Sequence, residues 1–145
     1  MPKSRFAPLV KMKKHEVQKC EQNLQQNQIN LQSAQEKLEQ SLHELTTITP
    51  PTSGTINDFR STQLLLTAQR MIIQKSSDWV EFAKNEILTS KELLKLATIE
   101  FEKFQYLEME EIKEMIKAIK LKEAKDLDEV ALQAFMNKKG KNEIK

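Results

Sequence analysis

The sequence predicts an all-α chain: two long helices joined by a short turn and folded into an antiparallel coiled-coil hairpin, the second helix longer and projecting. Three observations predict it. The 145 residues include only 2 Gly and 4 Pro, with 30% charged side chains. That is too little turn chemistry for a many-stranded sheet, and the Ala/Glu/Lys/Leu/Gln bias is that of long helices. Two apolar ladders repeat every seven residues, one on each side of the chain's interior turn. Between them lies a single strong run of helix breakers.

Residues 1–7 read as a lead-in. Helix one is expected over 8–48, with Pro8 tolerated because the first turn needs no amide donor. Its ladder is Val10, Val17, Leu24, Leu31, Leu38 and Leu45. The turn, 49–57, sits inside "TTITPPTSGTIND". Pro50 and Pro51 stop the helix and Gly54 permits a positive φ. Thr55 or Asn57 can cap the next helix, with Asp58 in its first turn. Helix two is expected over 58–137, paired over 58–101 and projecting over 102–137. The basic tail, 138–145, is expected to fray.

Helix two carries Phe59, Leu66, Ile73, Val80, Ile87, Leu94 and Phe101 at the same spacing of seven. Three residues after each ladder position, both helices place mostly small or polar residues: Cys20, Asn27, Ala34 and Ser41 in the first, Ser76, Ala83, Ser90 and Ala97 in the second. Folding at Ser53–Gly54 sets large against small, with Leu24 facing Ala83, Ala34 facing Ile73 and Ser41 facing Leu66. Such mixed layers fill space at normal density, and a sustained heptad repeat implies a left-handed supercoil. Asn27 would face Val80, either fixing register or reaching solvent at the seam edge. At 1.5 Å per residue, helix one is roughly 60 Å long and helix two roughly 120 Å. Phe6 would pair near Phe101, beyond which helix two would lack a partner in its own chain. The ladder also breaks there, at Glu108, and the apolar stripe shifts phase to Ile112, Met115, Ile116 and Ile119.

The formal net charge of +2 is almost balanced and interleaved, which argues against nucleic acid as a partner. The single Cys20 cannot close an internal disulfide, so a reducing cytosol is the expected compartment. The first residues hold no apolar run of signal-peptide length, and no stretch approaches a membrane span. Membrane contact is therefore expected only through partners. Two glycines cannot build a phosphate loop. His15 opens "HEVQK" without a second His four residues on, and His43 lies in ordinary helix, so neither a metal site nor a zinc-protease motif is expected. Cys20 falls on the seam as a buried structural thiol. No catalytic residues and no cofactor are expected.

Apolar residues off the seam are more informative. Leu64, Ala68 and Met71 face away from helix one; Leu65, Ile72 and Trp79 lie on the seam's shoulder, with Leu42 on the facing helix. A contiguous outward apolar patch marks a partner site, and Trp79 is its natural anchor. Against this stands the simpler reading that Leu65 and Ile72 widen the intramolecular core.

Three stretches carry a resemblance to the FliJ family, the stalk-like component of the flagellar type III export apparatus. "RFAPLVKMKKHEVQKCEQNL" resembles the family's opening segment, the unequal hairpin resembles its middle, and "KEAKDLDEVALQAF" resembles its ending, with Asp128, Glu129 and Ala131 at its core. The likeness covers nearly the whole chain. It implies a non-enzymatic stalk, similar to the γ subunit of rotary ATP synthases, located in the cytoplasm at the inner-membrane flagellar base. The helix ends would enter the ring of a FliI-like export ATPase through Ile112, Ile116, Ile119, Leu127, Asp128, Glu129, Ala131 and Phe135. A FlhA-like export gate would meet Leu42, Leu64, Ala68, Met71, Ile72 and Trp79, and export chaperones would be further partners. The chain departs from the family in one place: Lys37, Ser41 and Glu44 stand where the gate-facing surface is expected to be aromatic. The stalk of a virulence type III secretion system, or a general coiled-coil scaffold or holdase, remains an alternative; a prefoldin-like form is disfavoured because "PPTSGT" leaves no room for strands.

Overall fold

The computed structural model describes residues 3–143. These form two helices, α1 (Ala7–Thr47) of 41 residues and α2 (Ile56–Glu143) of 88 residues, with no strand among the described residues. The fold is an all-α hairpin. The helix ends differ slightly from the sequence expectation. α2 starts two residues earlier than 58 because its cap is Thr55, not Asn57. It also runs past 137: nothing after Asn137 blocks the backbone amides, and a lone Gly140 costs a helix only about 1 kcal/mol. Ile144 and Lys145 of the expected tail lie outside the described residues.

Both helix ends at the turn are closed by side chains. At the end of α1, the hydroxyls of Thr46 and Thr47 donate to the carbonyls of His43 and Glu44 at 2.6 and 2.7 Å. They add donors in the last turn, where helix carbonyls run short of amides, and Pro50 bars continuation. At the start of α2, the Asp58 carboxylate accepts the Thr55 amide at 3.0 Å while the Thr55 hydroxyl accepts the Asp58 amide at 3.4 Å. This reciprocal pair is a capping box with Asp in place of the usual Glu. Gly54 precedes it at φ +157°, and a Cβ there would sit 2.6 Å from Asp58 Oδ2.

The chain forms two compact units, Met1–Lys14 with Glu100–Lys145, and His15–Ile99. In His15–Ile99 the two helices pack antiparallel along the heptad seam. Shielded side chains of α1 follow alternating steps of three and four from Val17, Cys20 and Leu24 to Ser41 and Leu45, and the residues between them are exposed. α2 answers with Leu66, Gln69, Ile73, Ser76 and onward to Leu94. The best-covered positions are Val80, Ala83, Ser41, Gln69 and Ser90, small or medium side chains all. Large ladder residues are only half-buried, as a two-helix seam must leave them. Phe59, the first rung of the α2 ladder, is exposed.

The register differs from the one expected, and Asn27 makes the difference plain. Its amide donates to Ser90 Oγ and, at 3.5 Å, to the Glu86 carbonyl. It therefore sits opposite Ile87, a heptad beyond Val80. Ser41 is displaced in the same sense: its hydroxyl lies 3.4 Å from that of Ser76, so it does not face Leu66. The cause is the repeat itself. Ladders of period seven match equally well after a slip of seven, so large still meets small, and the turn decides between them. The chain does not double back symmetrically at Ser53–Gly54. The first turn of α2 instead overshoots the end of α1, leaving Ile56 and Phe59 uncovered.

In the other unit, α2 beyond Phe101 is not free of its own chain. Phe6 meets Phe104 at 6.5 Å between ring centroids, not Phe101. Arg5 reaches as far as Glu111. Ile112, Met115 and Ile116 are half-buried, and an unbroken run of exposed side chains begins only at Lys117 and extends to Lys139.

Candidate partner-binding surfaces

Positions 64, 68 and 71 recur at helical spacing, and Leu64, Ala68 and Met71 form an exposed stripe on α2. Ile72 and Trp79 border it. Trp79 is 64% exposed although it is the chain's one tryptophan. Its ring stands edge-on to Phe82, with centroids 5.7 Å apart and planes at 90°, an arrangement favoured by the ring quadrupoles. Trp79 also walls a groove of about 330 Å³ with Asn30, Ser33, Ala34, Lys37 and Ser76. Sequence reasoning missed Phe82; its spacing of three from Trp79 on the same helix was the available signal.

Leu42 does not join this patch. Lys37 and Glu44 border the side of the seam on which Trp79 stands: Lys37 shares the Trp79 groove, and Glu44 accepts from the seam residue Gln69 at 3.4 Å. Leu42 lies five residues beyond Lys37, about 140° further round α1 at ~100° per residue. It is exposed on the far shoulder.

The second group divides at Lys117. Ile112 and Ile116 are half-buried, whereas Ile119, Leu127, Asp128, Glu129, Ala131 and Phe135 are exposed. Leu127, at 70%, is among the most exposed large apolar residues. Leu127, Ala131 and Phe135 recur every four residues and so line one side of the helix. Lys122, Lys125, Asp126 and Asp128 are interspersed. The arrangement offers apolar contact within a mixed-charge surround.

Among the described residues, no cluster of His, Cys, Asp or Glu has the arrangement to hold a metal ion. No helix among them is long and apolar enough to cross a membrane. Cys20 is half-buried in a groove with Asn27, Ser90 and Leu93.

A family model described as the flagellar FliJ protein matches residues 2–140. No curated protein and no solved structure matches the chain.

Proposed function

The chain belongs to the flagellar FliJ protein family and is a flagellar export-related protein; on that premise we propose that it is a non-enzymatic stalk that couples an export ATPase ring to a membrane-embedded export gate and handles export chaperones. The observation that carries the reading is the uncovered amphipathic surface of α2 over 117–139. An apolar stripe that its own chain leaves in water is stabilised when a partner covers it. Ring subunits take up Ile119, Leu127, Ala131 and Phe135, with Asp128 and Glu129 at the rim and Ile112 and Ile116 nearer the covered part of α2. The gate protein takes up Leu64, Ala68, Met71, Ile72 and Trp79. Leu42, on the other shoulder of α1, lies outside this surface. The protein works in the cytoplasm, reaching the membrane through its partners.

The test uses the full chain with its cognate export ATPase and gate protein. Leu127→Glu with Phe135→Glu abolishes stimulation of ATPase turnover and spares gate binding. Met71→Glu with Trp79→Ala does the reverse. A wild-type chain that neither binds the ATPase nor raises its turnover overturns the stalk reading, and loss of the same partner by both variants overturns the division into two surfaces.

A further inference from the structure

The first residues lie on α2 as a strap with its own fastening. Ser4 is buried; its hydroxyl accepts the Phe6 amide at 3.0 Å and its carbonyl the Ala7 amide at 3.1 Å, which caps the start of α1. This cap turns Arg5 toward α2. There the Arg5 amide donates to Glu111 Oε1 at 3.1 Å and Arg5 Nε to Glu111 Oε2 at 3.1 Å, so one carboxylate holds two donors from one residue. Phe6 lies against Phe104, and Arg5 and Phe6 border a notch of about 470 Å³ with Leu107, Glu110, Glu114 and Met115. Charge runs the same way. Residues 3–14 carry Lys3, Arg5, Lys11, Lys13 and Lys14 and no acid, whereas 107–114 carries Glu108, Glu110, Glu111 and Glu114 with Lys113 alone of the opposite sign.

The fastening is weak by construction. The Arg5 side chain is 81% exposed, and a pair so open to water contributes little and is screened by salt. The Glu111 side chain is only 16% exposed, so it keeps its need for a cationic donor whichever chain supplies it. Charged residues at Lys13 and Glu111 stand where the His15–Ile99 seam places aliphatic and small residues. The strap thus covers apolar surface through contacts that a competitor can replace one for one.

We propose that the notch is a docking site in which Arg5 and Phe6 are the resident ligand, and that a partner segment presenting an arginine beside an aromatic residue displaces them. Displacement uncovers Leu107 and Met115 to the incoming segment. The proposal needs no ATPase ring, and its test contains none, so it stands or falls separately from the stalk reading.

The probe is a synthetic peptide of sequence KSRFAPLVKMKK, identical to residues 3–14. In the wild-type chain the strap competes in cis, and the peptide's apparent affinity is reduced by the small fraction of open notches. Full-length Arg5→Ala/Phe6→Ala protein binds the peptide about tenfold or more tighter than wild type. Adding Glu111→Gln to that variant reverses the gain, and a peptide with alanine at the Arg and Phe positions does not bind. Circular dichroism checks that the variant keeps its helix content. Equal binding by wild type and variant, or binding indifferent to Glu111, overturns the proposal. Amide hydrogen exchange on the unmodified chain gives an independent reading: residues 3–14 exchange faster than the α1 seam over 24–41, and faster still as salt is raised. Protection of the strap equal to that of the seam overturns it as well.

Discussion

The side-chain amide of Gln69 donates to the main-chain carbonyl of Ser41 at 2.9 Å, directly across the seam between the helices. Ser41 in turn points its hydroxyl at the Lys37 carbonyl, 2.8 Å away, and toward Ser76. No buried side-chain nitrogen or oxygen among the described residues is left without a partner. These polar layers are satisfied, and they distinguish otherwise interchangeable rungs of the ladder.

Gln69→Ala removes the cross-seam bond and leaves space beneath Glu44. The expected cost is about 1–2 kcal/mol, combining a net hydrogen bond with a small, partly collapsible cavity. The urea midpoint falls with an unchanged slope if the hairpin otherwise stays intact.

Asn27→Leu separates stability from register. An aliphatic residue at that layer changes stability by less than about 1.5 kcal/mol while erasing the bond that marks the layer. Cysteine pairs report the outcome. Leu93→Cys forms a disulfide with native Cys20, whose groove it shares, about tenfold faster than Ile87→Cys, since only pairs of compatible Cα spacing close. In Asn27→Leu protein that preference narrows.

Gly54→Ala strains the turn twice. The φ of +157° is poorly tolerated by a residue with a Cβ, and that Cβ would collide with Asp58 Oδ2, the atom that accepts the Thr55 amide. The expected loss is roughly 1–2 kcal/mol. Asp58→Ala loses the carboxylate half of the cap alone, at about 1 kcal/mol. Thermal melts of the two single variants and the double show coupling, because both act on one carboxylate.

Leu31→Ala tests how much each rung carries. Leu31 is half-buried, so truncation removes fewer contacts than in a globular core and neighbouring side chains close part of the gap. The cost lies near the lower end of the usual range, about 2 kcal/mol, read from the chemical-denaturation midpoint.

The heptad ladders made the seam legible because burial in a two-helix coiled coil follows spacing alone: every shielded residue of α1 between Val17 and Leu45 lies on the three-four pattern. Period cannot distinguish one heptad offset from the next, so the sequence sets Asn27 against Val80, whereas its partners are Ser90 and Glu86. Gln69, three residues after the Leu66 rung, is not legible because a long amide there reads as solvent-facing until its acceptor across the seam is seen. The strap was hidden for a similar reason. Arg5 and Glu111 are 106 residues apart, and neither belongs to an apolar pattern. Leu64, Ala68 and Met71 were legible as an exposed stripe. The separation of Leu42 from Trp79 was not, because it depends on which shoulder of each helix meets the other.

No described side chain in the molecule is fully buried. Cohesion is therefore dispersed over many shallow rungs rather than concentrated in a kernel, and neighbouring rungs support only each other. Such a hairpin opens locally first, from its ends and from its weakest polar steps, before the seam gives way as one unit. Under native conditions amide exchange should therefore be slowest around Val80 and Ala83 and quicken toward the helix ends.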